Sequence, residues 1–225
     1  MIITRLKQID PRAGTLRFPK DTDMMHNFWL TDAEGKTIRN TNHESSEQFL
    51  VHVFLRPDDA VLEFGGGLGA NSIQICKTLG PQGRHMVFEP QDALAALIVE
   101  NGRANGCDID VFHGTLSKRP MYVPPFSPKR SDWLFVKADT TTRDGRRPVP
   151  HTTTLPFQPT VLVMDCEGAG LQILTDFPHV LDRVRFVYFE NDGGTEVLRG
   201  MCALLRARDF RQVVNTSMHK AFLRP

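Results

Sequence analysis

Short apolar runs alternate with longer amphipathic stretches along most of this chain. The apolar runs typical of buried strands are residues 60–64, 85–89, 109–112, 160–164 and 185–190. The stretches with apolar residues three to four positions apart, as on one helical face, are residues 70–79, 92–104, 171–181 and 195–208. Strands that alternate with helices of this length predict an α/β fold, with a mostly parallel sheet covered by helices on both faces.

The two ends of the chain depart from this alternation. Residues 211–215 and 220–223 are strand-like and too close for a crossover helix, so they predict an antiparallel hairpin at a sheet edge. Together the seven strands predict a Rossmann-like, seven-stranded sheet. Ser45-x-x-Gln48 has the form of a capping box and predicts a helix that ends at Pro57.

We predict one domain over residues 1–225. Its parts are an N-terminal extension or lid (1–42), a cofactor-binding half (43–114), a proline-rich basic flap (115–159) and an acceptor-side half (160–225). In the first part we expect five apolar residues to pack on the core, namely Met24, Met25, Phe28, Trp29 and Leu30.

The flap holds eight of the chain's 15 prolines, and eight Lys and Arg residues against three Asp. Proline at this density prevents regular helix. Two interpretations stay open. The segment is either a solvated insertion with a strand or two, best placed at 133–138, or a substrate-side flap whose basic residues meet an anionic or polar acceptor.

Composition narrows the function classes. The 225 residues include 27 Lys and Arg against 26 Asp and Glu, and such a balance argues against a protein built to wrap nucleic acid. No run of 18 apolar residues or signal-peptide pattern is present, so we expect neither a membrane span nor classical secretion. Four scattered cysteines without a C-x-x-C pair predict reduced thiols and a cytoplasmic protein.

The strongest chemical motif is Val61–Ser72, VLEFGGGLGANS, in which a strand leads through Gly65, Gly67 and Gly69 into a helix. Glycine is needed where the backbone turns with positive φ or where a ligand approaches the main chain. The N-terminus of the helix supplies unpaired N–H groups. A nucleotide-like cofactor is therefore expected on this loop.

The identity of that cofactor depends on two carboxylates. Gly65-x-Gly67-x-x-Ala70, with Glu89 22 residues beyond Gly67, also satisfies a loose dinucleotide pattern. Glu63, two residues before the first glycine, favours S-adenosylmethionine because it can hold the positively charged methionyl end. Glu89 is placed to accept hydrogen bonds from both ribose hydroxyls. Alternatively, each carboxylate caps a helix or lies on the surface.

Polar residues also follow two later strands. Asp165 closes the strand at 160–164, and Glu190 with Asn191 closes the strand at 185–189. In an open parallel sheet these ends share one crevice, and oxygen ligands of this kind suit Mg²⁺ or Mn²⁺. Alternatively, Asp165 caps the next helix and Glu190 pairs with an arginine such as Arg185 or Arg199.

Three motifs together resemble those of FkbM-type class I S-adenosylmethionine-dependent methyltransferases. They are VLEFGGGLGANS, VFEP with the following Leu97–Asn105 stretch, and VLVMDCEGAGLQIL, and the likeness spans roughly residues 44–192. The chain departs from that pattern at Glu63, where the family more often has Asp, and at Gly170, where a second acidic residue is common. The resemblance implies O-methylation of hydroxyls, often on sugars. The acidic strand ends are also similar to those of metal-dependent small-molecule O-methyltransferases.

The predicted site residues follow from this chemistry. An alcohol must lose its proton during methyl transfer, so we assign catalytic roles to Asp165 and to Glu167, as general base or acceptor orienter. The predicted cofactor-binding residues are Glu63, Gly65, Gly67, Gly69, Asn71, Glu89 and Asp165. The predicted metal ligands are Asp165, Glu190 and Asn191.

Other residues compete for roles in this site. His113 and His151 are rival bases, and Trp29, Tyr122 and Trp133 are candidates for stacking on a sugar ring. A further group, Arg143, Arg146 and Arg147, is either a solvated turn or an anion site. The alternatives in function are an RNA or protein methyltransferase, a nicotinamide-dependent oxidoreductase and a non-catalytic cofactor-binding module. The expected acceptor is a saccharide or glycan, and the oligomeric state stays open.

Overall fold

A computed structural model describes residues 25–127 and 145–225. The described helices are α1 (Ser45–Phe54), α2 (Ala70–Thr78), α3 (Asp92–Ala104), α4 (Gly170–Asp176) and α5 (Gly194–Arg206). The described strands are β1 (Trp29–Thr31), β2 (Thr37–Arg39), β3 (Ala60–Phe64), β4 (Arg84–Glu89), β5 (Asp110–His113), β6 (Thr115–Leu116), β7 (Met121–Val123), β8 (Arg147–Val149), β9 (His151–Thr152), β10 (Val161–Met164), β11 (Phe186–Glu190), β12 (Arg211–Asn215) and β13 (His219–Leu223).

Seven strands form the central sheet, in the order β12-β13-β11-β10-β3-β4-β5. The five from β11 to β5 are parallel, and β13 pairs antiparallel with both β11 and β12. The predicted mostly parallel sheet with a C-terminal antiparallel hairpin is therefore confirmed. Because the carboxyl ends of β3, β4 and β10 lie side by side, the loops that follow them meet at one edge.

Alternating residues of the strands supply the cores of both faces. On one face, Leu62, Leu162 and Val187 belong to a buried cluster that includes α4 and α5 residues. On the other face, Val61 and Val163 pack with residues of α1 and α2. Farther along that face, another buried cluster joins the sheet to α2 and α3. The alternation along each strand therefore determines the face of the sheet to which each polar side chain points.

The start of α1 differs from the predicted capping box. Its N-cap is Glu44, in left-handed conformation at φ 48°, and no side chain caps the helix. The buried Gln48 side chain instead exchanges hydrogen bonds with Asn40, accepting from Nδ2 at 2.8 Å and donating to the carbonyl at 3.1 Å. Gln48 thus ties α1 to the preceding segment, and the capping-box prediction is wrong.

Two other segments differ from expectation. The helix predicted over 171–181 ends at Asp176 and continues as a 3₁₀ turn, Pro178–Leu181, because proline lacks the N–H that would extend the helix. Near the N-terminus, Met25, Phe28 and Leu30 are buried as predicted, but Trp29 is 59% exposed. Met24 lies outside the described residues.

The basic flap is described only at its two ends. There β6 pairs with β9 and β7 pairs with β8, each as a two-stranded sheet beside the main one. The strand predicted at 133–138 lies outside the described residues.

The cysteine expectation is wrong for one pair. The structure joins Cys76 on α2 to Cys107, which follows α3, in a disulfide, while Cys166 and Cys202 are free. No local pattern predicts this pair, because 31 positions separate the two cysteines and the packing of α2 beside α3 brings them together. Within residues 25–127 and 145–225, every helix is too short or too polar to cross a bilayer.

Candidate functional site

A cleft opens at the carboxyl ends of β3, β4 and β10. It encloses about 750 Å³ when the open solvent at its mouth is included. Its described lining residues are Glu44, Phe64, Gly65, Gly67, Phe88, Glu89, Pro90, Leu94, Thr115, Met121, Asp165, Cys166, Glu167, Ala169 and Ile173. Four carboxylates and no Lys or Arg appear among them, so the described wall of the cleft is acidic.

The glycine loop forms the floor of this cleft. Gly65 has φ +83°, and a Cβ there would lie 1.7 Å from the Asp165 carbonyl oxygen. This position therefore tolerates only glycine, and it brings the loop into contact with the end of β10. Gly67 has φ +51°, with nothing within 4 Å of a hypothetical Cβ, so its backbone is open to a ligand. Gly69 is the N-cap of α2.

Glu89 lies at the end of β4 and lines the cleft as the sequence predicts. Its Oε2 accepts hydrogen bonds from the N–H groups of Gly66 at 3.1 Å and Gly67 at 3.4 Å. Its Oε1 accepts from the Gln91 N–H at 2.9 Å. Burial outweighs these donors and raises the pKa of Glu89 to about 7. The carboxyl group is fixed in place by the loop that it supports.

Glu63 is not among the residues that line the cleft. It precedes the last residue of β3, so its side chain points to the face shared with Val61 and is fully buried there. Its Oε2 lies 2.8 Å from His85 Nε2 on the neighbouring strand β4. The structure therefore gives this predicted cofactor residue a buried histidine partner behind the glycine loop.

Carboxylates from the start of α1 and from the ends of β10 and β11 lie close together. Asp165 hydrogen-bonds to Glu190, the last residue of β11. Single carboxylate oxygens of Asp165, Glu44 and Glu47 lie within 4.8 Å of one another. The same holds for Asp165, Glu167 and Asp192. The predicted pairing of Asp165 with the end of the adjacent strand is thus present, and α1 adds Glu44 and Glu47 to it.

This crowding changes the titration of the cluster. Burial, helped by neighbouring carboxylates, raises the pKa of Asp165 and of Glu47 well above the usual range. The same causes raise the pKa of Tyr188, whose hydroxyl lies 2.9 Å from His219 Nδ1. Protonation relieves the repulsion among these carboxylates, and a bound cation would do the same.

Of the remaining predicted residues, Asn71 is buried on α2 and its Nδ2 donates to Glu47 Oε2 at 2.9 Å. Asn191 donates from Nδ2 to the Ser217 carbonyl at 3.0 Å, which orients its amide toward the hairpin. Glu167 lines the cleft in left-handed conformation at φ 52°.

The rival residues lie elsewhere or outside the described chain. His113 and His151 are exposed, and neither lines the cleft. Exposed Arg147 pairs with Asp92 at 3.0 Å, and Arg146 donates to the Tyr122 carbonyl at 3.3 Å. Tyr122 and Trp29 are likewise not among the lining residues. Trp133 and Arg143 lie outside the described residues.

Comparison with solved structures identifies the fold. The chain aligns with precorrin-6y C5,15-methyltransferase from Geobacter metallireducens at TM-score 0.53 and 12% identity, over 81% of this chain and 90% of that one. The ribosomal protein L11 methylase from Lactobacillus delbrueckii aligns at TM-score 0.49 and 14% identity, over 80% and 77%. The O-methyltransferase TomG from Streptomyces achromogenes aligns at TM-score 0.44 and 19% identity, over 80% of each chain.

The chain therefore has the Rossmann-like fold of class I methyltransferases, as the sequence predicted. At 12% identity the likeness to the precorrin enzyme establishes the fold alone, and the two weaker alignments add nothing to it. No family model and no curated protein matches the chain. The FkbM-type resemblance stays a prediction.

Sequence reasoning missed Glu44 and Glu47. The sequence between 44 and 54 predicts a helix with an apolar face, and a Glu in such a helix is usually solvated. A signal was nevertheless present, since Leu50, Val51 and Phe54 follow Glu47 at three, four and seven positions and share its helical face, which packs against the sheet. Burial of such a residue is a reason to look for a partner.

Proposed function

We propose that this chain is an S-adenosylmethionine-dependent O-methyltransferase that acts on a hydroxyl group of a sugar or glycan. The single observation that carries the proposal is the cleft itself, which joins an open glycine loop and the Glu89 carboxyl group to a row of acidic strand ends. The methyltransferase fold supports the same assignment.

The cofactor part of the proposal depends on the glycine-loop end of the cleft. When bound, S-adenosylmethionine supplies an electrophilic methyl group on a positively charged sulfur. The open backbone at Gly67 lets the ligand approach the main chain, and Glu89 accepts hydrogen bonds from ribose hydroxyls. Glu89 and Asp165 line the cleft with Gly65 and Gly67, so Glu89 would hold the ribose and Asp165 would face the charged end of the cofactor.

The acceptor part depends on Asp165 and Glu167, which line the cleft together. An alcohol holds its proton tightly at neutral pH, so a positioned base must take that proton during attack. Glu167 either accepts the proton or orients the hydroxyl group, and Asp165 fixes the position of the acceptor beside the methyl group. Both side chains are held by the loop that follows β10.

Mg²⁺ or Mn²⁺ was the second expected cofactor. Asp165 and Glu190 are adjacent, but the amide of Asn191 is oriented by Ser217. The arrangement thus brings together two of the three predicted ligands, and we derive no step through a metal ion. Activity that persists after exhaustive chelation would remove the metal from the proposal and leave methyl transfer intact.

Two alternatives are less well supported. An RNA methyltransferase needs contacts to phosphate, but the described wall of the cleft is lined by carboxylates without Lys or Arg. A nicotinamide-dependent oxidoreductase would share the glycine loop. Calorimetry distinguishes the two hypotheses, because an oxidoreductase should bind NAD and a methyltransferase should bind S-adenosylmethionine.

The decisive experiment measures methyl transfer from S-adenosylmethionine to a panel of sugars, for the wild type and three variants. Asp165→Ala and Glu167→Gln are expected to lower turnover by about 100-fold or more, since each removes a group at the reacting hydroxyl. Glu100→Gln, an exposed carboxylate on α3, is the matched control and should keep wild-type turnover. Near-normal turnover in both cleft variants would remove these residues from the mechanism.

A further inference from the structure

Two carboxylates at the start of α1 and the Asp165 carboxylate form a compact cluster of oxygen atoms, here called the cage, beside the glycine loop. One oxygen each from Glu44, Glu47 and Asp165 lies within 4.8 Å of the other two. An atom at the centre of such a triangle is no more than about 2.8 Å from each oxygen, the length of a charge-assisted N–H···O hydrogen bond. The cage therefore offers three acceptors at the distance that suits the three donors of one ammonium group.

Among the described ion pairs, no Lys or Arg reaches the three carboxylates of the cage. Two histidines lie beside it: His43 Nε2 is 3.1 Å from Glu44 Oε1, and a ring nitrogen of His219 is within 4.8 Å of a Glu47 oxygen. Glu47 is only 2% exposed. Removing a carboxylate from water in this way without a cation is costly, so the arrangement suits a cationic ligand.

A second observation points to the same ligand. Asn71 is 5% exposed and directs its amide at the cage, where Nδ2 donates to Glu47. Its Oδ1 is buried and has no hydrogen-bond partner in the described structure. Buried acceptors are rarely left unpaired, so this oxygen adds a neutral acceptor beside the cage.

The position of the cage matches one end of the proposed cofactor. Glu44 and Asp165 line the same cleft as Gly65 and Gly67, and Gly65 packs against the Asp165 carbonyl. Glu89, proposed to bind ribose, lies across the loop. A ligand that spans the loop with its ribose at Glu89 has its other end at the cage.

Building on the proposed function, we infer that Glu44, Glu47, Asp165 and Asn71 bind the α-ammonium group of the cofactor's methionyl end. Glu44 and Glu47 are the new residues in this assignment, since they come from the N-cap and first turn of α1, outside the strand-end motifs. The α1 segment thereby recognises the amino-acid part of the cofactor, while Glu89 recognises the nucleoside part.

The test compares two ligands on four proteins by calorimetry. S-adenosylhomocysteine carries the ammonium group, and 5′-methylthioadenosine has the same nucleoside without the amino-acid end. Glu47→Gln and, independently, Glu44→Gln should weaken binding of S-adenosylhomocysteine by about tenfold or more, and binding of methylthioadenosine by less than about twofold. Wild type and Glu100→Gln are the references. Retained methylthioadenosine binding shows that the variants are folded.

The outcomes separate the inference from the proposed function. If wild type binds both ligands and the cage variants weaken both equally or neither, the inference is wrong and the proposed function stands. If wild type binds neither ligand, the proposed function fails and takes the inference with it. A titration with Mn²⁺ alone completes the test. Tight Mn²⁺ binding that Glu47→Gln abolishes, with unchanged binding of S-adenosylhomocysteine, would make the cage a metal site instead.

Discussion

The two ends of the cleft hold their carboxylates in opposite ways. At the glycine-loop end, Glu89 accepts three backbone N–H groups, so protein donors satisfy it before any ligand arrives. At the acidic end, Asp165, Glu47 and Glu190 mainly face other carboxylates, and their pKa values are raised. The first end is prearranged by the fold, whereas the second depends on protons or a cation. This difference indicates that only the second end should respond to ligand charge.

The largest expected effect is at Gly65, where the two ends meet. Gly65→Ala should lower the free energy of unfolding by roughly 4 kcal/mol or more, because its Cβ meets the Asp165 carbonyl and φ is positive. Gly106→Ala is the matched control, since Gly106 has φ +73° and nothing within 4 Å of a Cβ. It should cost only about 1 kcal/mol. If urea unfolding gave the same loss of unfolding free energy for both variants, the loop would not contact the end of β10.

The next effect tests how firmly the prearranged end is fixed. Reduction of the Cys76–Cys107 disulfide should lower the free energy of unfolding by about 3 kcal/mol, because the bond closes a 31-residue loop between α2 and the segment after α3. The double variant Cys76→Ser, Cys107→Ser should be insensitive to reductant. Four reactive thiols in unreduced, denatured protein would contradict the pairing.

A smaller effect concerns pH at the glycine-loop end. With the pKa of Glu89 at about 7, the carboxyl group is mostly protonated at pH 6 and mostly ionised at pH 8. Ribose hydroxyls donate to the ionised form, so methylthioadenosine should bind up to about tenfold more tightly at pH 8 than at pH 6. In Glu89→Gln this dependence should vanish. A flat wild-type profile would show that Glu89 does not bind the ligand in its ionised form.

The smallest effect concerns stability at the acidic end. Folding raises the pKa of the Glu47 carboxyl group. The free energy of unfolding therefore falls as pH rises from the ordinary pKa to the raised one, and the full cost remains at higher pH. Glu47→Gln removes this cost, so at pH 8 the melting temperature without ligand should rise by about 3 °C. The gain should shrink at lower pH. A variant that melts lower than wild type at pH 8 would indicate that Glu47 stabilises the empty fold.

The sequence predicted the sheet better than the site. Buried strands with loops between them leave a strong periodic signal, and so does a glycine loop that precedes a helix. Glu63 is different, because its proximity to the glycines indicates a ligand contact, whereas the alternation of β3 turns it toward His85. Glu47 and the Cys76–Cys107 pair depend on how α1, α2 and α3 pack, which local pattern does not encode.

The placement of β13 has a consequence for how the chain matures on the ribosome. Residues 219–223 insert between β11 and β12, so this edge of β11 stays uncovered throughout synthesis of the preceding 28 residues and is covered only when β13 emerges. A nascent chain stalled before that point would present the unpaired backbone groups of β11 to neighbouring chains, and such strand edges are prone to aggregation.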